Sequence, residues 1–403
     1  MNLSRSQLII LGVVGGLVLI FAIIVITGIG LRPGRVKTTL NVWGIDDPAA
    51  FETAKAGFEK EAPGSEIIYT QIPEADYEQD LIDALAAGQG PHVFMFRSDW
   101  IRKHGNKIVP ASEETLSVAR FTSLFPQVAA QDFIWNNEVY ASPLFIDTLV
   151  LYYNKDIFDR RNIAVPPNTW DAFKSTISKG VSASFGGYAP LVARSGDIMN
   201  ALFMQANADL NLQNKSFVRL SGSPGITALS LYTSVKAPTV ETYAGFSNET
   251  LGMIIDYQSA KTLIATRNPF LNFSVAPLPQ LNPSSPVVPA RYYGLAVSNK
   301  SLSQALAWEF VSYVTTNASA AEDYLIASGR PPALRGLIQA YSGTPTHGVF
   351  ASQALIARSW SMPASEGVFA VFNTMIQSAL SGTASAQSVI LIEAENAINN
   401  LAR

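Results

Sequence analysis

Leu8 to Leu31 is a stretch of 24 residues without one charged side chain, and Arg32, Arg35 and Lys37 follow closely behind it. As a helix it spans about 36 Å, against ~30 Å of bilayer hydrocarbon. A secretory h-region is only about 7–15 residues long. No clear A-x-A site follows, and Gly28-Ile29-Gly30 is a poor substitute. The run therefore predicts an uncleaved N-terminal transmembrane helix over 8–31, with a cytoplasmic N-terminus at 1–7 and a linker at 32–38. Orientation is less constrained. Arg5 and the amino terminus stand against the three basic residues beyond the span, which slightly favours a cytoplasmic body. That rule is weak before a large domain, so the identity of the domain decides.

The chain has 403 residues, 48% of them hydrophobic and 15% charged, with a formal net charge of −3. Average soluble domains are roughly 25% charged. Nucleic-acid binding needs a strongly basic face, and this balance does not supply one. Cysteine is absent, which removes disulfides, thiolate metal sites, iron–sulfur clusters and thiol nucleophiles. His92, His104 and His347 are far apart and read as structural or surface residues. No HExxH, GxSxG, P-loop, GxGxxG, SxxK or EF-hand spacing occurs. No metal, cofactor or catalytic residue is expected, and only a carboxylate pair keeps an enzymatic reading open.

Beyond the linker, strands and helices alternate. Leu40–Trp43 reads as a strand, and Asp47 as a cap for a helix with Pro48 at its first position. Ile67–Ile72 is a second strand, and Asp76 is expected to cap a helix with Tyr77, Leu81 and Leu85 on one face. Val93–Phe96 is uniformly apolar, as a strand buried on both faces should be. Together these form a parallel βαβαβ unit. Thr169 is expected to cap a helix carrying Trp170, Phe173 and Ile177. Helical patterns recur at 198–208, 223–235, 304–315, 318–328, 348–360, 367–380 and 386–401, and strand patterns at 273–278 and 293–297. Five prolines between Pro277 and Pro289 make that segment an irregular connection.

Tyr140-Ala141-Ser142-Pro143-Leu144 and Asp147-Thr148-Leu149 lead into Tyr152-Tyr153-Asn154-Lys155-Asp156, with Pro167-Asn168-Thr169-Trp170-Asp171-Ala172-Phe173 downstream. Four later stretches keep the same order and spacing: Ser274–Pro279, Tyr292–Ser298, Ala307–Phe310 and Ser328–Ala333. This pattern closely resembles the family 1 extracellular solute-binding proteins, the maltose-binding-protein-like group serving ABC importers. The resemblance covers about residues 40–403. Two departures stand out. Members are commonly lipoproteins or cleaved secreted proteins, and the usual F-x-x-G-K-A-A-M segment is replaced by Tyr257–Ile264. That region contributes to the pocket, so a particular substrate does not carry over.

The resemblance implies an α/β, two-lobed, periplasmic-binding-protein-like fold with a hinge and an interlobe cleft, preceded by the transmembrane helix. Lobe one is expected at 39–147 plus 278–330 and lobe two at 148–277 plus 331–403. Crossings are expected near 146–151, 275–278 and 330–334. Clefts in such sheets lie at the carboxyl ends of parallel strands. Sugar recognition needs planar polar groups for hydroxyls and aromatic faces for the ring. Trp43 and Asp46 follow the first strand, with Asp47 better read as a cap. Arg97, Ser98 and Asp99 follow the third strand, against the alternative of a solvated local Arg–Asp pair. Asp147 is a carboxylate inside an apolar run and must be hydrogen-bonded or face the cleft. The resemblance aligns it with an acidic ligand contact. Tyr152 and Tyr292 are further candidates, each beside a second tyrosine, with the choice within each pair open. Trp360 lies where the family places stacking aromatics, although a helix residue there reads more readily as core.

The expected function is a membrane-tethered extracytoplasmic receptor. It would capture a small polar solute, a sugar or oligosaccharide, and deliver it to an ABC permease driven by its ATPase. No nucleic-acid partner is expected. An anchored carbohydrate-active hydrolase needs two carboxyl groups about 5–10 Å apart across the cleft. A ligand-sensing subunit would share every lobe motif.

Overall fold

The computed structural model describes residues 37–184, 195–210, 218–235, 242–345, 347–381 and 386–401. The run Leu8–Leu31 lies outside the described residues, and none of the helices among them is long and apolar enough to cross a membrane.

In chain order the strands are β1 (Thr38–Gly44), β2 (Ser65–Gln71), β3 (Val93–Arg97), β4 (Ile108–Val109), β5 (Ile134–Trp135), β6 (Glu138–Val139), β7 (Ser142–Pro143) and β8 (Asp147–Thr148). Then come β9 (Val150–Asn154), β10 (Ala183–Ser184), β11 (Met253–Asp256), β12 (Phe273–Pro277), β13 (Val288–Arg291), β14 (Tyr293–Ser298) and β15 (Ala357–Arg358). The first sheet runs β2-β1-β3-β14-β4, with β7 also on β14. β1 pairs in parallel with β2 and β3, as the alternating pattern predicts. β14 lies antiparallel between β3 and β4, and its partner β3 is apolar from Val93 to Phe96 because both its faces are covered. Helix Ala49–Glu61 packs on this sheet through Phe51, which stacks on Tyr69 with ring centroids 4.5 Å apart. Helices Gln304–Thr316 and Ala318–Ser328 cover the same layer.

The second sheet runs β10-β11-β9-β12, with β9 antiparallel to both β11 and β12. A three-stranded ribbon, β15-β13-β8, joins the two sheets. Its position follows from connectivity. β8 stands between β7 of the first sheet and β9 of the second, and β13 between β12 of the second and β14 of the first. Two chain crossings are therefore bonded to each other, with Thr148 opposite Ala290 and Asp147 opposite Arg291. Gln353, 3% exposed, fastens them further. Its amide donates to the Thr148 hydroxyl and the Leu149 carbonyl, both at 2.9 Å, and its oxygen accepts from Leu278 N–H at 2.8 Å. Gln205 treats the proline-rich connection in the same way. It accepts from Trp170 and Leu281 and donates to the carbonyls of Pro279 and Val287. These two amides satisfy backbone groups that no ladder reaches.

Three local expectations need correction. Helix Glu74–Ala86 starts behind Pro73, so Asp76 lies inside its first turn and is not its cap. Pro73 has no N–H to place and its extended backbone already ends the preceding segment. The helix expected over 348–360 stops at Ala354, because Ala357 and Arg358 pair with β13 as β15. Near Asp47 the helix begins at Ala49, whose N–H donates to the Asp47 carboxylate at 2.8 Å. Thr169 caps Trp170–Ser178 as expected, accepting from Ala172 N–H at 3.1 Å.

Candidate functional site

The polar groups at the strand ends form two connected clusters. In the first, Asp46 follows β1 and is 8% exposed. Its carboxylate accepts from Tyr324 and from Arg330, whose Nη2 lies at 2.6 Å and Nε at 3.1 Å. Arg330 in turn lies over the Phe145 ring, 4.6 Å from its centroid. Burial works against the charge of Arg330, but Asp46 outweighs it and holds the guanidinium above its ordinary value. Asp147 adds to that field from β8. Its carboxylate is 3% exposed and accepts from Thr148 N–H at 2.8 Å and from Gln258 N–H at 3.2 Å. Asp46 and Asp147 are thus brought together around one arginine, and both already hold protein donors.

In the second cluster, Arg97 closes β3 and reaches Asp99 twice, at 2.6 and 3.1 Å. The local Arg–Asp pair weighed above is present. Arg97 also reaches the Ser365 hydroxyl at 2.9 Å and the Glu366 carboxylate. Ser98 is buried, and its N–H donates to the Tyr292 carbonyl at 3.0 Å. Burial pushes the nearby Asp132 carboxyl up to about 7, although Ser359 and Tyr292 donate to it.

Tyr152 and Tyr292 require correction, since neither has any exposed surface. Tyr152 packs in the core of the second sheet and donates to the Tyr257 carbonyl at 2.8 Å. Tyr292 packs edge-on to Phe133 and donates to Asp132 at 2.7 Å. A ring without accessible area cannot stack on a solute. The two indoles behave differently. Trp43 and Trp360 are both half-buried, and Trp360 Nε1–H donates to Asn200 at 2.9 Å. Trp360 lies past β15, outside any helix, because the helix before it ends at Ala354.

Asp197, Asn200, Arg291 and Arg330 are not singled out by sequence as site residues, and Tyr257 only as the start of a pocket segment. Tyr257 hydroxyl donates to Asp197 at 2.9 Å, and Arg291 Nη1 lies 3.9 Å from the same carboxylate. One signal was available. Met253–Ile255 is an apolar run ending in Asp256-Tyr257-Gln258, which is the strand-end pattern that marked the first sheet. Arg330 and Asp197 carried no local signal, because their partners lie far away in sequence. Among the described residues no group of three or more His, Asp or Glu is placed to hold a metal ion. The histidines bind within the fold, His92 accepting from Asn41 N–H at 3.0 Å and His104 contacting Glu78 at 2.8 Å.

Two α/β lobes joined by bonded crossings, with polar groups gathered at their junction, define the class of two-lobed binding proteins. The model of the bacterial extracellular solute-binding protein family matches residues 43–321, and the chain belongs to that family. It is a family of binding proteins, not of enzymes. A protein of Brucella abortus (strain 2308) named as a binding protein is 23% identical over 262 residues, 61% of this chain and 63% of that protein. The chain thus spans about 63% of the length of this relative. The maltotriose-binding protein of Pyrococcus abyssi is 25% identical over 297 residues, 68% of this chain and 60% of its own. Among solved structures, the sugar-binding protein MalE of Xanthomonas citri superposes with a TM-score of 0.78 at 17% identity, covering 91% of this chain and 97% of its own. The cyclic α-maltosyl-1,6-maltose binding protein of Arthrobacter globiformis reaches 0.77 at 17% identity, with 91% and 99% covered. At such identities the likeness establishes the fold.

Proposed function

We propose that this protein is a membrane-tethered extracytoplasmic receptor. It captures a sugar or short oligosaccharide between its lobes and delivers it to the permease of an ABC importer. The observation that carries the reading is the junction. Two crossings pair in one short ribbon, the kind of connection about which hinge closure takes place. Carboxylates and arginines collect at the strand ends, and the indoles of Trp43, at the end of β1, and Trp360, past β15, are half-buried. That donor and acceptor set, with aromatic faces, suits a ring bearing hydroxyl groups. Family membership and the sugar ligands named for several relatives support it. Asp46, Arg97, Ser98, Asp99, Trp43 and Trp360 remain the proposed solute-facing set, while Asp147 is proposed to hold the Thr148 and Gln258 backbone.

Thermal unfolding of the full chain in detergent tests the solute class, with glucose, maltose, maltotriose and a panel of polyols and amino acids added separately. A true solute at 100 times its dissociation constant adds about 2.7 kcal/mol. A melting curve unmoved by any sugar, but raised by another solute, would replace the carbohydrate assignment. The tether rests on the uncharged run Leu8–Leu31. Protease added to intact cells is expected to remove the body, and protection until the membrane is broken would reverse the topology.

A further inference from the structure

We propose that Glu366 is a positioning residue for closure, latching one lobe onto the other through Arg97 at the end of β3. The inference rests on the two-lobed binding reading above. Helix Ser365–Leu380 belongs with the second sheet. It packs on helix Ser195–Gln205, which is tied to the end of β11 by the Tyr257–Asp197 bond. Arg97 belongs to the first sheet. The contact between them joins residues 269 apart in sequence.

Several contacts run along the same seam. Arg97 donates to Ser365 at 2.9 Å and pairs with Glu366, and Lys103 Nζ lies 3.7 Å from the other Glu366 oxygen. Arg102 donates to Ser361, and Ser359 donates to Asp132. The segment 359–366 is therefore laid across the face formed by Arg97, Arg102, Lys103 and Asp132. Asp99 grips Arg97 from within its own lobe, so the guanidinium is already oriented when Glu366 arrives. Burial alone would raise the Glu366 carboxyl, but the charge and hydrogen bond of Arg97, with Lys103, hold it at about 2. It is ionised across the physiological range.

A plainer role exists. Glu366 stands in the first turn of its helix, where a carboxylate stabilises the helix dipole. That role stays inside one lobe and leaves the lobe–lobe distance alone. A latch differs because its contacts exist only when the lobes meet. Its free energy then counts toward the closed population, and apparent affinity scales with that population. The Glu366 side chain is 49% exposed, so the effect is screened and modest.

The absence of cysteine makes the test direct. Spin labels at Lys60→Cys and Lys174→Cys, both exposed, report the lobe–lobe distance in the full chain in detergent without sugar. Glu366→Gln is expected to shift the distribution toward longer distances, and 1 M sodium chloride should do the same to wild type but not to the variant. With maltotriose as the probe, the variant is expected to bind roughly 2- to 5-fold more weakly. An unchanged distance distribution with a lowered melting temperature would assign Glu366 to its own helix and overturn the latch. If neither protein binds maltotriose, the carbohydrate assignment fails for this probe, while the distances still decide the latch.

Discussion

Arg330→Met is expected to cost about 3–5 kcal/mol of folding stability, the range for a buried pair stripped of one partner. Asp46 keeps only 8% of its surface exposed, and losing both guanidinium bonds leaves its charge with the Tyr324 hydroxyl alone among its side-chain donors. Methionine preserves most of the side-chain volume over Phe145, so the loss reports charge and not a cavity. The double variant Asp46→Asn, Arg330→Met removes both charges and should recover at least half of the loss. Urea unfolding of all three proteins measures this through midpoints at a common slope. A single variant within ~1 kcal/mol of wild type would mean that water reaches Asp46 more freely than its contacts indicate. Arg330 directly follows Gly329, the left-handed residue (φ 69°) that ends helix Ala318–Ser328. The pair therefore also fixes the end of that helix to the loop after β1.

Asp147→Ala is expected to destabilise the free protein by about 2–4 kcal/mol. The change strands two buried backbone donors, Thr148 N–H and Gln258 N–H, each worth roughly 1–3 kcal/mol. Asp147→Asn retains one oxygen acceptor and should lose less. From sequence this carboxylate must be hydrogen-bonded or face the cleft, and the resemblance points to solute contact; the two backbone donors favour the first role. The structure places lobe-two backbone against it, through the turn after β11. Denaturant melts without ligand, paired with calorimetric titration of maltotriose, separate the two roles. An alanine variant that melts like wild type yet binds more than tenfold more weakly would return Asp147 to direct solute contact.

Much of the architecture is legible because it is written in local pattern. The apolar run Val93–Phe96 announces a strand covered on both faces, and Thr169 before Trp170 announces a helix start. The helix expected through Trp360 fails because periodicity cannot see β13, which draws Ala357 and Arg358 into a ladder. Tyr152 and Tyr292 fail for a related reason. In β9 the alternating pattern says that Tyr152 and Tyr153 face opposite ways, but not which face becomes core, while Tyr292 lies at the joint between β13 and β14, where both it and Tyr293 are buried. Packing against Phe273 and Phe133 decided that here.

By itself, the sequence determined the leading βαβαβ unit, the uncharged N-terminal run, the absence of thiol chemistry and the family, since each depends on residue type and short spacing. Tertiary structure alone decided how the site carboxylates are used. Asp46 meets Arg330 across 284 residues, Asp147 meets Gln258 across 111, and Arg97 meets Glu366 across 269. A carboxylate looks the same in sequence whether it awaits a solute or holds an arginine. Its role is set by which donor the fold brings within about 3 Å.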